Sequence, residues 1–119
     1  MEIIRNNAEQ ANIILTEFKN SDVRLWSFSP TFNVIEIMLS LSNYEYCVFI
    51  TMSNCLYFKG KLDSSKSFLK ISIANEITEI YDMNSDFQIK LEGGFILKKG
   101  LYKDFFDEPN DLKKIPWET

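Results

Sequence analysis

Histidine does not occur anywhere in this chain. Its absence removes histidine metal sites, the Ser-His-Asp and Cys-His nucleophile pairs, and the commonest general base. Cysteine is nearly absent as well, and Cys47 and Cys55 are too few for a disulfide scaffold. They flank a turn, so antiparallel strands could bring them close. No cationic group or helix end nearby in sequence would lower a thiol pKa, however, which favours two free buried thiols without metal. Arginine is limited to Arg5 and Arg24, leaving few residues for bidentate phosphate recognition. A net charge of −4 and a pI near 4.8 lack the basic signature of a nucleic-acid binder.

Long apolar runs are missing too. None approaches the ~18 residues of a membrane span, and the opening MEIIRNNAEQ has no basic-then-apolar secretion pattern. The expectation is a cytoplasmic protein with reduced thiols, and with neither membrane nor nucleic acid as partner. Gly93-Gly94 lacks the further glycines, lysine and following helix of a phosphate loop. The acidic stretch before Pro109 lacks the Asp-x-Asp-x-Asp-Gly order of a calcium loop. No cofactor and no metal are expected.

What is present is core material. With 45% hydrophobic and 14% aromatic residues in 119 positions, the chain can bury a core without staples, as a single domain spanning residues 1–119. The enrichment in Lys, Asn, Ile and Phe reads as the codon habit of an AT-rich genome rather than as mechanism.

Ile4, Ala8, Ala11, Leu15 and Phe18 recur at spacings of four and three, which predicts one N-terminal amphipathic helix, widened by Ile14. Lys19-Asn20-Ser21-Asp22 ends it. From Val23 the period becomes two. Strands are predicted over 23–29, stopped by Pro30, and over 33–41, with Ile35, Ile37, Leu39 and Leu41 on one face and Glu36 and Ser40 on the other. Residues 44–52 are apolar on both faces, as in a central strand. Further strands are predicted over 55–58, 68–74, 76–81, 85–92 and 95–97, with a polar loop over 63–66. Gly93-Gly94 reads as a tight hairpin with positive φ. Residues 101–106 read as a helical turn or two, followed by a loop over 107–111 and an extended tail over 115–117. Short connections exclude parallel βαβ units. The predicted fold class is α+β, an N-terminal helix packed on a curved antiparallel β-meander of about six to eight strands.

Two groups of carboxylates stand out: Glu76, Glu79, Asp82 and Asp86, and Asp104, Asp107, Glu108 and Asp111. A solvated acidic rim is the plain reading, and nothing singles out a pair for glycoside chemistry. The aromatics Trp26, Phe28, Phe32, Tyr44, Tyr46, Phe49, Tyr57 and Phe58 are ordinary sheet residues. Phe105, Phe106 and Trp117 lie in an irregular acidic segment. They either pin it to the body or form an apolar anchor inside an acidic ring, the usual build of a binding hot spot. The nominated partner-binding surface is therefore Asp104, Phe106, Asp107, Glu108 and Asp111, with Glu76, Glu79 and Asp82 second.

Leu25-Trp26, the apolar strand Val34–Leu41, the run Cys55-Leu56-Tyr57-Phe58-Lys59-Gly60, and Ile80-Tyr81-Asp82 leading to Phe87 resemble small bacterial proteins of unknown function, over residues 23–97. In size, acidity and α+β layout the chain also resembles the immunity proteins that guard bacteria against secreted toxins. That resemblance carries over no functional residue. It implies a non-enzymatic protein that binds a basic toxin domain in the cytoplasm, where opposite charge speeds encounter. The alternatives are a domain holding an apolar ligand between helix and sheet, and a small carboxylate-dependent enzyme.

Overall fold

Asparagines divide this chain into its elements. Asn6, Asn20, Asn33, Asn43, Asn54 and Asn75 all hold positive φ, whereas Gly60 alone among the four glycines does. Asparagine tolerates the left-handed region because its short amide bonds locally. A feature that composition presents as codon habit is therefore structural.

The computed structural model describes residues 1–30, 33–60 and 64–105. In chain order the elements are β1 (Glu2–Arg5), α1 (Ala8–Glu17), β2 (Ser21–Ser29), β3 (Val34–Ser40), β4 (Tyr46–Met52), β5 (Cys55–Lys59), β6 (Ser64–Ser67), β7 (Leu69–Ala74), β8 (Ile77–Asp82), β9 (Gln88–Leu91), β10 (Phe95–Leu101) and α2 (Tyr102–Phe105). The fold is α+β, a short helix with antiparallel sheet. The strands form two sheets, β1-β10-β4-β3-β2-β6 and β5-β9-β8-β7. That is ten described strands rather than six to eight, and they do not run as one meander.

The predicted helix begins four residues too early. Asn6 (φ 51°) breaks the chain, and the Asn7 side chain caps the helix by accepting from the Gln10 N–H at 3.0 Å. Residues before the break form β1 against β10. Ile4 reaches the same core as Ala11, Leu15 and Phe18 because strand alternation turns it inward. The polar loop predicted over 63–66 is instead mostly β6, paired with β2.

Gly93-Gly94 is not a hairpin. It carries the chain from β9 in the second sheet to β10 in the first, and neither glycine has positive φ. The pair is needed for close approach. A Cβ on Gly93 would strike the carbonyl and hydroxyl of Ser53, and one on Gly94 would strike the Asn6 amide. Ser53 sits where β4 leaves the first sheet for β5. Its N–H donates to the Gly94 carbonyl at 3.1 Å, and its hydroxyl accepts from the Gly94 N–H at 3.1 Å.

Both sheets and α1 share one core, in which Phe18, Ile37, Leu39, Ile50, Leu69, Ile80, Ile89 and Phe95 are at most 1% exposed. The register read for the third strand holds: Ile35, Ile37 and Leu39 point inward, and β4 is central as expected. On the outer face of the first sheet Met38, Cys47 and Phe49 form a second cluster under Trp26, Tyr102 and Phe105.

Ile37→Ala is expected to cost ~2–5 kcal/mol in urea unfolding. Gly93→Ala should cost ~1–3 kcal/mol by overpacking, and Ser53→Ala should not restore it, because the Ser53 carbonyl remains in the way.

Candidate functional site

Of the residues nominated from sequence, Phe106, Asp107, Glu108 and Asp111 lie outside the described residues, as does Trp117. Asp104 is exposed and accepts from the Leu101 N–H at 2.8 Å, closing the turn into α2. The neighbouring Phe105 packs on Phe49 with ring centroids 4.6 Å apart, so this aromatic pins its segment to the body.

Glu76, Glu79 and Asp82 do not form one surface. Glu76 is exposed in the β7–β8 turn, and Glu79 lies half-buried on the outer face of β8, accepting from the Gln88 amide. Asp82 is only 6% exposed. Its carboxylate accepts from the Phe68 and Asn84 N–H groups at 2.9 Å and from the Ser85 hydroxyl at 2.8 Å. Burial alone would raise its pKa, but these bonds together with one from Ser67 outweigh it and leave the pKa lowered. Asp82 therefore fixes the 82–87 loop rather than facing a partner.

The other shifted acid also ties elements together. Glu17 at the end of α1 accepts from Lys99 Nζ at 2.8 Å and from the Tyr44 hydroxyl. Burial opposes the charge on Glu17, and the two hydrogen bonds still leave its pKa lowered. This joins helix, β10 and the β3–β4 connection. The two cysteines are free and do not form a pair: Cys47 belongs to the outer cluster and Cys55 to the shared core. Burial, reinforced by the charge of Asp104, pushes the Cys47 thiol up to about 12, and burial raises Cys55 as well.

The surface that does stand out was not nominated from sequence. Where β5 runs beside β2 and β3, the two sheets part. Leu25, Phe28, Ile35, Leu56, Tyr57 and Phe58 line an open apolar groove of about 340 Å³. Phe28 is 53% exposed, Leu56 54%, Tyr57 46% and Phe58 37%, so the lining faces water. Its aromatics are held in place. Phe58 meets the buried Phe87 edge-on at 5.7 Å, and Lys90 Nζ lies 5.7 Å above the Tyr57 ring. At one end Asn33 closes the groove: the Cys55 N–H donates to its carbonyl at 3.3 Å, and its amide donates to the Cys55 carbonyl. A sequence signal existed, since Leu56-Tyr57-Phe58 does not alternate. The same lack of alternation in β4 marks a buried central strand, and pattern alone does not separate the two.

Two other hollows are less built. One of about 400 Å³ lies between β1 and α1, where Glu2 and Gln10 interrupt Ile3, Ile4, Ile13 and Ile14. One of about 170 Å³ lies on the outer face by Trp26, Glu36, Phe49, Lys98 and Phe105. No helix of the described residues is long and apolar enough to cross a membrane.

A carboxyl whose folded pKa lies below its unfolded value of about 3.9 contributes stability above that pH, and loses it as pH falls through the folded pKa. Asp82→Asn should therefore lower stability by ~1–3 kcal/mol at pH 7. In urea midpoints the gap to wild type should hold down to pH ~5 and narrow below pH ~4; a pH-independent gap would show that the charge contributes nothing. No family model matches this chain, and no curated protein or solved structure shows significant similarity to it.

Proposed function

We propose that this chain is a non-enzymatic binding protein that holds a partner protein against the groove between β2 and β5, and that the partner is a toxin domain which it neutralises in the cytoplasm. One observation carries the reading. Phe28, Leu56, Tyr57 and Phe58, each a third to a half exposed, line one groove from strands rather than loops. Scattered exposed hydrophobics are ordinary, whereas a contiguous patch with rigid aromatics is the build of a hot spot. The −4 net charge suits a basic partner by raising the encounter rate. The acids with lowered pKa, Asp82 and Glu17, both hold structure together, which fits a role without chemistry.

A second reading has its own support. A volume of about 340 Å³ is at the lower end of what a small apolar ligand occupies. The hollow between helix and first strand, where such a ligand was expected from sequence, mixes polar with apolar lining and favours it less.

The test is co-expression with the product of the neighbouring gene, followed by cell survival and binding measurements. Wild type is expected to protect and to bind. Tyr57→Ala should weaken binding ~30-fold or more, the equivalent of a ~2 kcal/mol hot spot, mainly through faster dissociation. Reversing Asp104, Glu76 and Glu79 should instead slow association and flatten its salt dependence. Ile13→Asp, in the other hollow, should change nothing. A harmless neighbour that does not bind would remove the immunity reading, and binding indifferent to Tyr57 would remove the groove.

A further inference from the structure

Every sheet edge presents unpaired N–H and C=O groups, and folded proteins usually block them. In the second sheet the edge strands are β7 and β5. The edge of β7 is met by α1 at Ile71. Asn12 donates to the Ile71 carbonyl at 2.8 Å and accepts from the Ile71 N–H at 2.8 Å, so its amide stands in for a neighbouring strand. The edge of β5 is bonded at one residue, Cys55, whose N–H donates to the Asn33 main-chain carbonyl and whose carbonyl accepts from the Asn33 side-chain amide. Beyond Cys55 the only strand paired with β5 among the described residues is β9, on its other side. The edge over 56–59 opens into the apolar groove, with Leu25 and Phe28 of β2 on the far wall.

We infer that this seam accepts an extended segment of a partner protein as an added strand on β5, with apolar side chains at alternate positions seated against Leu25, Phe28 and Tyr57. The inference rests on the groove being a binding site and specifies how it binds. Strand addition takes affinity from main-chain hydrogen bonds and specificity from pockets for every second side chain. The groove supplies both at once: a backbone edge with no second strand on it among the described residues, and an apolar trough beside it. Area selects the occupant. Phe28, Leu56, Tyr57 and Phe58 are about half exposed, so together they leave at most ~400 Å² in water, polar atoms and outward faces included. That is about half of the ~800 Å² each partner contributes to a stable protein–protein interface, so it suits one strand rather than a second copy of the chain.

The probe is a peptide selected from a displayed library of random nonapeptides panned against the full chain. Two versions of it are then made, N-methylated at odd or at even residues. Along a strand, N–H groups alternate between the two edges, so one version should bind at least ~30-fold more weakly and the other within a few-fold of the parent. The parent should carry apolar residues at alternate positions, should slow amide hydrogen exchange in β5, and should lose binding to Tyr57→Asp. Equal behaviour of the two methylated versions overturns strand addition while leaving the groove as a binding site. Selection of no peptide, or binding unaffected by Tyr57→Asp, overturns the inference, as does a chain dimer in sedimentation that Tyr57→Asp dissolves. Loss of the binding reading itself is read separately, from the co-expressed partner's indifference to Tyr57→Ala.

Discussion

The corner where two crossings between the sheets lie together is what the rest of the fold depends on. β4 leaves the first sheet at Ser53-Asn54, and β10 enters it at Gly93-Gly94. Ser53 bonds Gly94, the Glu92 N–H donates to the Asn54 carbonyl at 3.1 Å, and Asn6 bonds both the N–H and C=O of Phe95. Each crossing supplies the partners that the other's backbone would otherwise seek from water. The two glycines let three backbone segments approach where no Cβ fits. Holding β4, β5, β9 and β10 in this relation brings Ile50, Ile89, Leu91 and Phe95 into one core and stacks one sheet on the other.

Local patterning made much of this legible. Alternation identified the strands around Ile37 and Ile89, and a run apolar on both faces marked β4 as central. It did not reveal which sheet a strand joins, because alternation reports a buried face and not the neighbour across it. Hence a turn with two glycines reads as a hairpin when it is a crossing. The helix start was misplaced for a related reason: a spacing of four from Ile4 to Ala8 is satisfied equally by a helix and by a strand that turns at Asn6 into one.

Asparagine carries more of the structure than composition suggests. Besides its six left-handed positions, its amide matches a peptide group in donors and acceptors. Asn12 satisfies both polar groups of Ile71 with its amide, while Asn6 and Asn33 each combine one side-chain bond with one main-chain bond to do so at Phe95 and Cys55. None of these pairings is local, with Asn12 and Ile71 separated by 59 positions, so no sequence window displays them. The carboxylates were ambiguous in the same way. Glu79 and Asp82 fall on opposite faces of β8, and only the loop folded around Asp82 distinguishes an internal acceptor from a surface charge.

The groove was illegible because its residues obey strand preferences; what marks it is where they stand. Burying the groove's apolar surface, at most ~400 Å², is worth no more than ~10 kcal/mol before ordering costs, comparable to the whole stability of a small domain. In two places the chain covers such surface: α1 lies on β7, and α2 brings Phe105 over the outer cluster. At the seam Asn33 bonds one residue, Cys55, and among the described residues nothing covers Leu56, Tyr57 and Phe58. Phe87 contacts the Phe58 ring edge-on, and Lys90 lies over the Tyr57 ring. Apolar surface left in water, as this is among the described residues, contributes little to the stability of the chain.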